Sequence, residues 1–109
     1  MDIADWRKQI DDIDERLVAL LNERATVARE IGALKDSNKA PIYEPEREKE
    51  IFANVRKFNR GPLPDSDLVH IYERLIGVMR KIQQAANEPP TSRVARVGRA
   101  ANLDVKASD

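Results

Sequence analysis

The chain has no cysteine among its 109 residues, which excludes disulfide bonds and thiolate chemistry. It has one histidine, His70, placed off the apolar positions Leu68, Ile71 and Tyr72. A solvated surface role is expected for it, and no metal cluster can be assembled around it. Neither sign of charge is in excess: 19 lysines and arginines face 19 aspartates and glutamates. Such a chain has no global field to draw in nucleic acid or a membrane surface, so any anion site must be a local cluster. No apolar run approaches membrane-spanning length, and the N-terminus lacks an apolar signal segment. The expected location is the cytoplasm. Aromatic residues are only 5% while charged residues reach 35%, a balance typical of a soluble helical protein.

What the chain does have is apolar residues at helical spacing. From Ile3 the pattern runs through Trp6, Ile10, Ile13, Leu17, Leu20 and Leu21, then Val27, Ala28, Ile31 and Leu34. It contains no proline, and Gly32 is its only glycine. One helix from about residue 3 to 36 would be roughly 50 Å long. A compact domain of this size has a radius of gyration near ~13 Å, so the helix overshoots its own globule. Ser37-Asn38-Lys39-Ala40-Pro41 breaks the pattern. A second helix starts around Glu44-Pro45, with proline at the first helical position and acids in the first turn. Its apolar face is Ile51, Phe52, Val55 and Phe58, and Arg60-Gly61-Pro62-Leu63-Pro64 ends it. Asp65 or Ser66 is expected to cap a third helix. That helix carries Leu68, Ile71, Tyr72, Leu75, Ile76, Met79 and Ile82 on one face and stops near Asn87.

The expected fold is therefore all-α, with three helices per chain, one of them very long. The shorter helices, about 24 and 32 Å by the same rise, cannot cover a stripe that continues along the whole first helix. A second copy of the chain is the simplest cover, giving an intertwined homodimeric helical bundle. Residues 1–87 form the helical domain. Residues 88–109 change to Pro, Ser, Ala, Gly, Asn and scattered arginines, and are expected to be a flexible tail. Arg93, Arg96 and Arg99 repeat at three, a spacing that also suits a short basic helix on an acidic partner.

Arg24 stands in the apolar stripe between Leu20 and Val27. A cation on a helix seam is costly unless an anion meets it. Two fates are open: a pair with a carboxylate of the bundle or a snorkelling stem, and a pocket for an anionic ligand. The other chemically suggestive residues are Arg7, Lys35, Arg47, Glu48 and Gln83. Lys35 lies 11 residues after Arg24, close to three turns, so the two share a face about 16 Å apart along the backbone. Arg7 is about 25 Å before Arg24. It cannot easily serve the same pocket, but in a dimer with antiparallel first helices Arg7 of one chain could reach the pocket of the other. Gln83 is a neutral amide on the Ile76–Met79 face and needs partners. The set holds no nucleophile–base pair and no paired general acid and base. Donors plus one carboxylate suit a reaction helped by positioning and electrostatics.

The order of these residues carries a resemblance. Arg7, Ile13-Asp14, Leu17, Leu20-Leu21-Asn22-Glu23-Arg24, Ile31-Gly32 and Lys35 are followed by Pro41-Ile42-Tyr43-Glu44-Pro45-Glu46-Arg47-Glu48, then Gly61-Pro62-Leu63 and Gln83-Gln84. In series this resembles the all-helical AroQ class of chorismate mutase over about residues 5–86. The resemblance implies a cofactor-free conversion of chorismate to prephenate by intramolecular Claisen rearrangement, in phenylalanine and tyrosine biosynthesis. It implies an interlocked homodimer with two sites, each using both chains. Arg24 would bind one substrate carboxylate and Arg7 of the other chain the second. Lys35 would contact a carboxylate and the ether oxygen, and Gln83 would donate to that oxygen. Glu48 would accept from the ring hydroxyl, Arg47 would order the cationic wall, and Glu44 would contribute near the hydroxyl end. Two positions depart from the pattern. Met79 stands where a small polar residue often touches a carboxylate, so that contact is absent or replaced by Arg80. Glu44 stands where aspartate is common.

The alternatives are an isochorismate–pyruvate lyase, with a similar cation wall, and a regulatory helical dimer module docking on a shikimate-pathway enzyme. Isochorismate feeding, with salicylate and pyruvate as products, discriminates the first. Gel filtration and rates with candidate partners discriminate the second. A plain coiled coil would not need Arg24 on its seam.

Overall fold

A computed structural model describes residues 1–87, and the tail lies outside the described residues. Three helices, α1 (Ile3–Ser37), α2 (Pro45–Phe58) and α3 (Asp65–Ala86), make up the described chain, which agrees with the periodicity to within a residue or two. Asp2 starts α1 through a reciprocal capping box. Its carboxylate accepts from the Asp5 backbone N–H at 3.0 Å, and Asp5 accepts from the Asp2 N–H at 3.1 Å. Two of the orphan donors of the first turn are thereby satisfied. α2 opens on Pro45 with Glu46 and Glu48 in its first turn, favourable against the helix dipole.

The start of α3 differs from expectation. Pro64, not Asp65 or Ser66, occupies the N-cap, extended at φ −63° and ψ 144°, and no side chain caps the helix. Proline fixes φ near this value. Its carbonyl accepts from the Leu68 N–H at 3.1 Å. The Asp65 carboxylate instead accepts from the Asn59 amide at 2.6 Å. That amide also donates to the Leu63 carbonyl at 2.8 Å, while its oxygen accepts from the Gly61 N–H at 3.1 Å. Asn59 thus ties the α2–α3 turn together, and Gly61 supplies the left-handed φ of +72° that the turn requires.

α3 is the central element, packed against both α1 and α2. The buried apolar residues are Ala28 of α1, Val55 of α2, and Val69, Ile76 and Met79 of α3. Val69 takes the buried position near the start of α3, while Ile71, expected on that face, is exposed. No large side chain is fully buried among the described residues.

α1 accounts for the length of the molecule, whose extents are 53 × 36 × 18 Å. Within one chain its apolar stripe is uncovered: Ile3 is 67% exposed, Trp6 54%, Ile10 56% and Leu20 61%. Ile13, Leu17, Val27 and Leu34 are also exposed. An uncovered apolar stripe along a whole helix is unusual for a folded monomer. Among the described residues no helix is long and apolar enough to cross a membrane.

Candidate active site

The site is built at a close approach of α1 and α3. Gly32 is buried, and a Cβ placed on it would stand 2.7 Å from the Gln83 Cα and 2.8 Å from its carbonyl oxygen. The missing side chain lets the two backbones approach. Lys35 follows Gly32 by almost one turn, so the approach brings the Lys35 and Gln83 side chains together.

The Lys35 ammonium donates to the Gln83 Oε1 at 3.2 Å and to the Ile42 carbonyl at 2.9 Å. It forms an ion pair with the Glu44 Oε1 at 2.7 Å. Three oxygens therefore surround a group with three N–H donors. An ammonium cannot accept, so the Gln83 amide must turn its oxygen to Lys35, and its NH2 group becomes the donor left for other use. The Lys35 side chain is 13% exposed and that of Glu44 47%. The inner partner is thus held by the fold, whereas the outer one sits at the rim.

A cleft of about 230 Å³ opens beside this pair. Arg24, Lys35, Glu44, Arg47, Glu48 and Gln83 all line it. The structure therefore brings together six of the seven residues singled out from the sequence. Arg7 is exposed and does not line the cleft. Arg24 is partly buried. Arg47 is exposed and bonded to Glu50 through a close i,i+3 contact. Ile31, Ile42, Ile51, Ile76 and Met79 supply apolar wall, which lowers the local dielectric and strengthens charge–charge interactions inside.

Arg80 also lines the cleft. Its Nε lies 3.2 Å from the Glu48 Oε2, and its guanidinium carbon lies 5.2 Å from the Tyr43 ring centroid, within cation–π range. The sequence signal was its position three residues before Gln83, hence on the same helix face. Tyr43 and the Ile42 carbonyl had no such signal, since loop residues have no periodicity to read.

Counted over the lining residues, the cations are Arg24, Lys35, Arg47 and Arg80 and the anions are Glu44 and Glu48. Four against two leaves an excess of two positive charges. Fold and cleft together define an all-helical protein with a half-apolar, cationic pocket that holds a fixed pair of hydrogen-bonding side chains at its inner end.

The chain belongs to the chorismate mutase type II family, whose match covers residues 6–84. It is 40% identical over 87 residues to the bifunctional chorismate mutase/prephenate dehydratase of Aquifex aeolicus. That alignment covers 76% of this chain and 24% of the relative, so the chain spans about a quarter of that protein's length. It is 32% identical over 83 residues to the chorismate mutase of Methanocaldococcus jannaschii, covering 75% of this chain and 84% of the relative. The crystal structure of chorismate mutase from Helicobacter pylori in complex with prephenate superposes with a TM-score of 0.71. It has 31% identity, with 77% of this chain and 91% of that one covered.

Proposed function

We propose that this chain converts chorismate to prephenate, and that it does so as a homodimer with two shared sites. The observation that carries the reading is the Lys35–Gln83 pair, fixed by the Gly32 contact at the inner end of a cleft with two excess positive charges. Chorismate is a dianion whose enolpyruvyl arm must fold over its ring before reaction. Cations that hold both carboxylates select the folded conformer, and this lowers the entropic part of the barrier.

The ether C–O bond then breaks while a C–C bond forms between the arm and the ring, within one molecule and with no group lost. Bond breaking runs ahead of bond making, so negative charge grows on the ether oxygen. The Gln83 NH2 group and the Lys35 ammonium are the donors for that oxygen. Such donors favour the transition state over the ground state, because the charge they meet is fully present only there. Arg24 holds one carboxylate, Glu48 accepts from the ring hydroxyl, and Arg47 belongs to the cationic wall. Glu44 pairs with Lys35, and a substrate that takes the Lys35 ammonium displaces it.

One observation supports the dimer. The exposed stripe from Ile3 to Leu34 needs a cover of its own length, and a second α1 has that length. On this reading Arg7, about 25 Å along α1 from Arg24, serves the cleft of the partner. The product of the reaction is the substrate named for the second activity of the Aquifex relative, which makes a prephenate-consuming enzyme the partner to seek by gel filtration.

The test is a continuous assay of chorismate absorbance with prephenate identified as product, and a parallel one with isochorismate. Turnover of chorismate to prephenate is the expected result. Salicylate and pyruvate from isochorismate, with chorismate untouched, would replace it with the lyase reading.

A further inference from the structure

Of the four cations that line the cleft, two are already engaged: Lys35 is ringed by three oxygens and Arg47 is bonded to Glu50. Arg80 is different. Its Nε is sealed from solvent and has no hydrogen bond, although the Glu48 carboxylate lies 3.2 Å away as an ion-pair partner. Tyr43 lies against the guanidinium at 5.2 Å. No hydrogen bond within residues 1–87 takes up its Nη nitrogens. Yet the side chain is 40% exposed, so it opens onto the cleft beyond the sealed Nε. A guanidinium held at one edge by a carboxylate and on one side by an aromatic ring has lost much of its rotamer freedom. It offers its outer N–H fork ready oriented, and such a fork matches a carboxylate in two parallel bonds.

We infer that Arg80 is a substrate-binding residue that grips one carboxylate of chorismate with its Nη edge, held in place by Tyr43 and Glu48. This rests on the proposed chorismate reaction. The Glu48–Arg80 pair also joins the two ends of recognition. One Glu48 oxygen faces Arg80 and the other is left to accept from a hydroxyl, so a ligand with both a hydroxyl and a carboxylate meets an acceptor and a donor side by side. The neighbouring Met79 is buried apolar wall and brings no polar atom to that stretch of α3.

The experiment compares the parent with Arg80→Met and Arg80→Lys by steady-state kinetics on chorismate, with helicity and melting temperature as controls. It adds inhibition by the two chorismate monomethyl esters, each lacking one carboxylate charge. Parent turnover comes first, since its absence would fail the chorismate reading itself and not the role of Arg80. Arg80→Met is expected to raise KM about tenfold or more, the worth of a charged hydrogen bond, with a smaller change in kcat. Arg80→Lys should recover only part of this, because an ammonium cannot form the two parallel bonds. One monoester should bind the parent and Arg80→Met equally well, and it identifies the carboxylate concerned. A KM within twofold of the parent would overturn the assignment. So would an equal loss of affinity for chorismate and both monoesters, which marks Arg80 as a support for Glu48 alone.

Discussion

Gly32 and Gln83 touch backbone to backbone: a Cβ on the glycine would lie 2.7 Å from the Gln83 Cα. The obstacle is main chain, so no rotamer change relieves it. This contact sets the distance between α1 and α3 beside Lys35 and Gln83, where the proposed reaction places the ether oxygen.

Gly32→Ala tests it. In an exposed helix the change would stabilise by roughly 1 kcal/mol through propensity. Here α3 must move away, and overpacking costs about 1–3 kcal/mol. The expected result is a modestly lowered melting temperature with a much larger fall in kcat/KM, of about a hundredfold, because a misplacement near 1 Å costs that much in a positioned reaction. Thermal melts and kinetics on the same preparation check it. A variant less stable but equally active would detach the contact from the chemistry.

Gln83→Glu should make a flat pH profile steep. The amide donates at every pH, and its oxygen accepts from Lys35 at 3.2 Å. A carboxyl group can donate only when protonated. Once ionised it pairs with Lys35 and repels the charge growing on the ether oxygen. Activity of the variant should therefore fall as pH rises, while Gln83→Ala stays poor throughout by about 3 kcal/mol, the typical worth of one such donor. Rate–pH profiles of the three proteins check it, and a flat Gln83→Glu profile would remove Gln83 from that role.

Glu44→Gln should tighten substrate binding. Glu44 lies 2.7 Å from Lys35 and would compete with a substrate carboxylate for the same ammonium. Its side chain is half exposed and provides no hydrogen bond to cap α2, so its loss costs the fold little. The expected change is a several-fold lower KM, on the order of 1 kcal/mol for a rim ion pair. A raised KM would show instead that Glu44 itself contacts the substrate.

Arg7→Ala and Lys35→Ala should each be nearly inactive, and refolding the two together should restore activity. A heterodimer carries one site with both residues intact, so an even mixture should reach about a quarter of parental activity if chains pair at random in a two-fold dimer. Kinetics of the mixture, with tagged chains to confirm heterodimers, check this. No recovery despite heterodimers would mean that sites are not shared.

Periodicity in the sequence determined the helices by itself. The apolar repeat, the absence of proline before Pro41 and the punctuation at residues 37–41 and 60–64 located all three to within a residue or two, because a helix is closed by hydrogen bonds between near neighbours. The same reading put Arg24 and Lys35 on one face and placed Gln83 on the helix that meets them. Local pattern misjudged what depends on a neighbour. Asp65 looked like a cap, but the Asn59 amide claims its carboxylate. Ile71 looked like core, but the rotation of α3 buries Val69 instead. Only the tertiary structure decided the backbone contact of Gly32 with Gln83, the three oxygens around Lys35, and the hold of Tyr43 and Glu48 on Arg80. Those depend on the distance and axial offset between helices, which are set by packing of the whole bundle and leave no periodic trace in the chain.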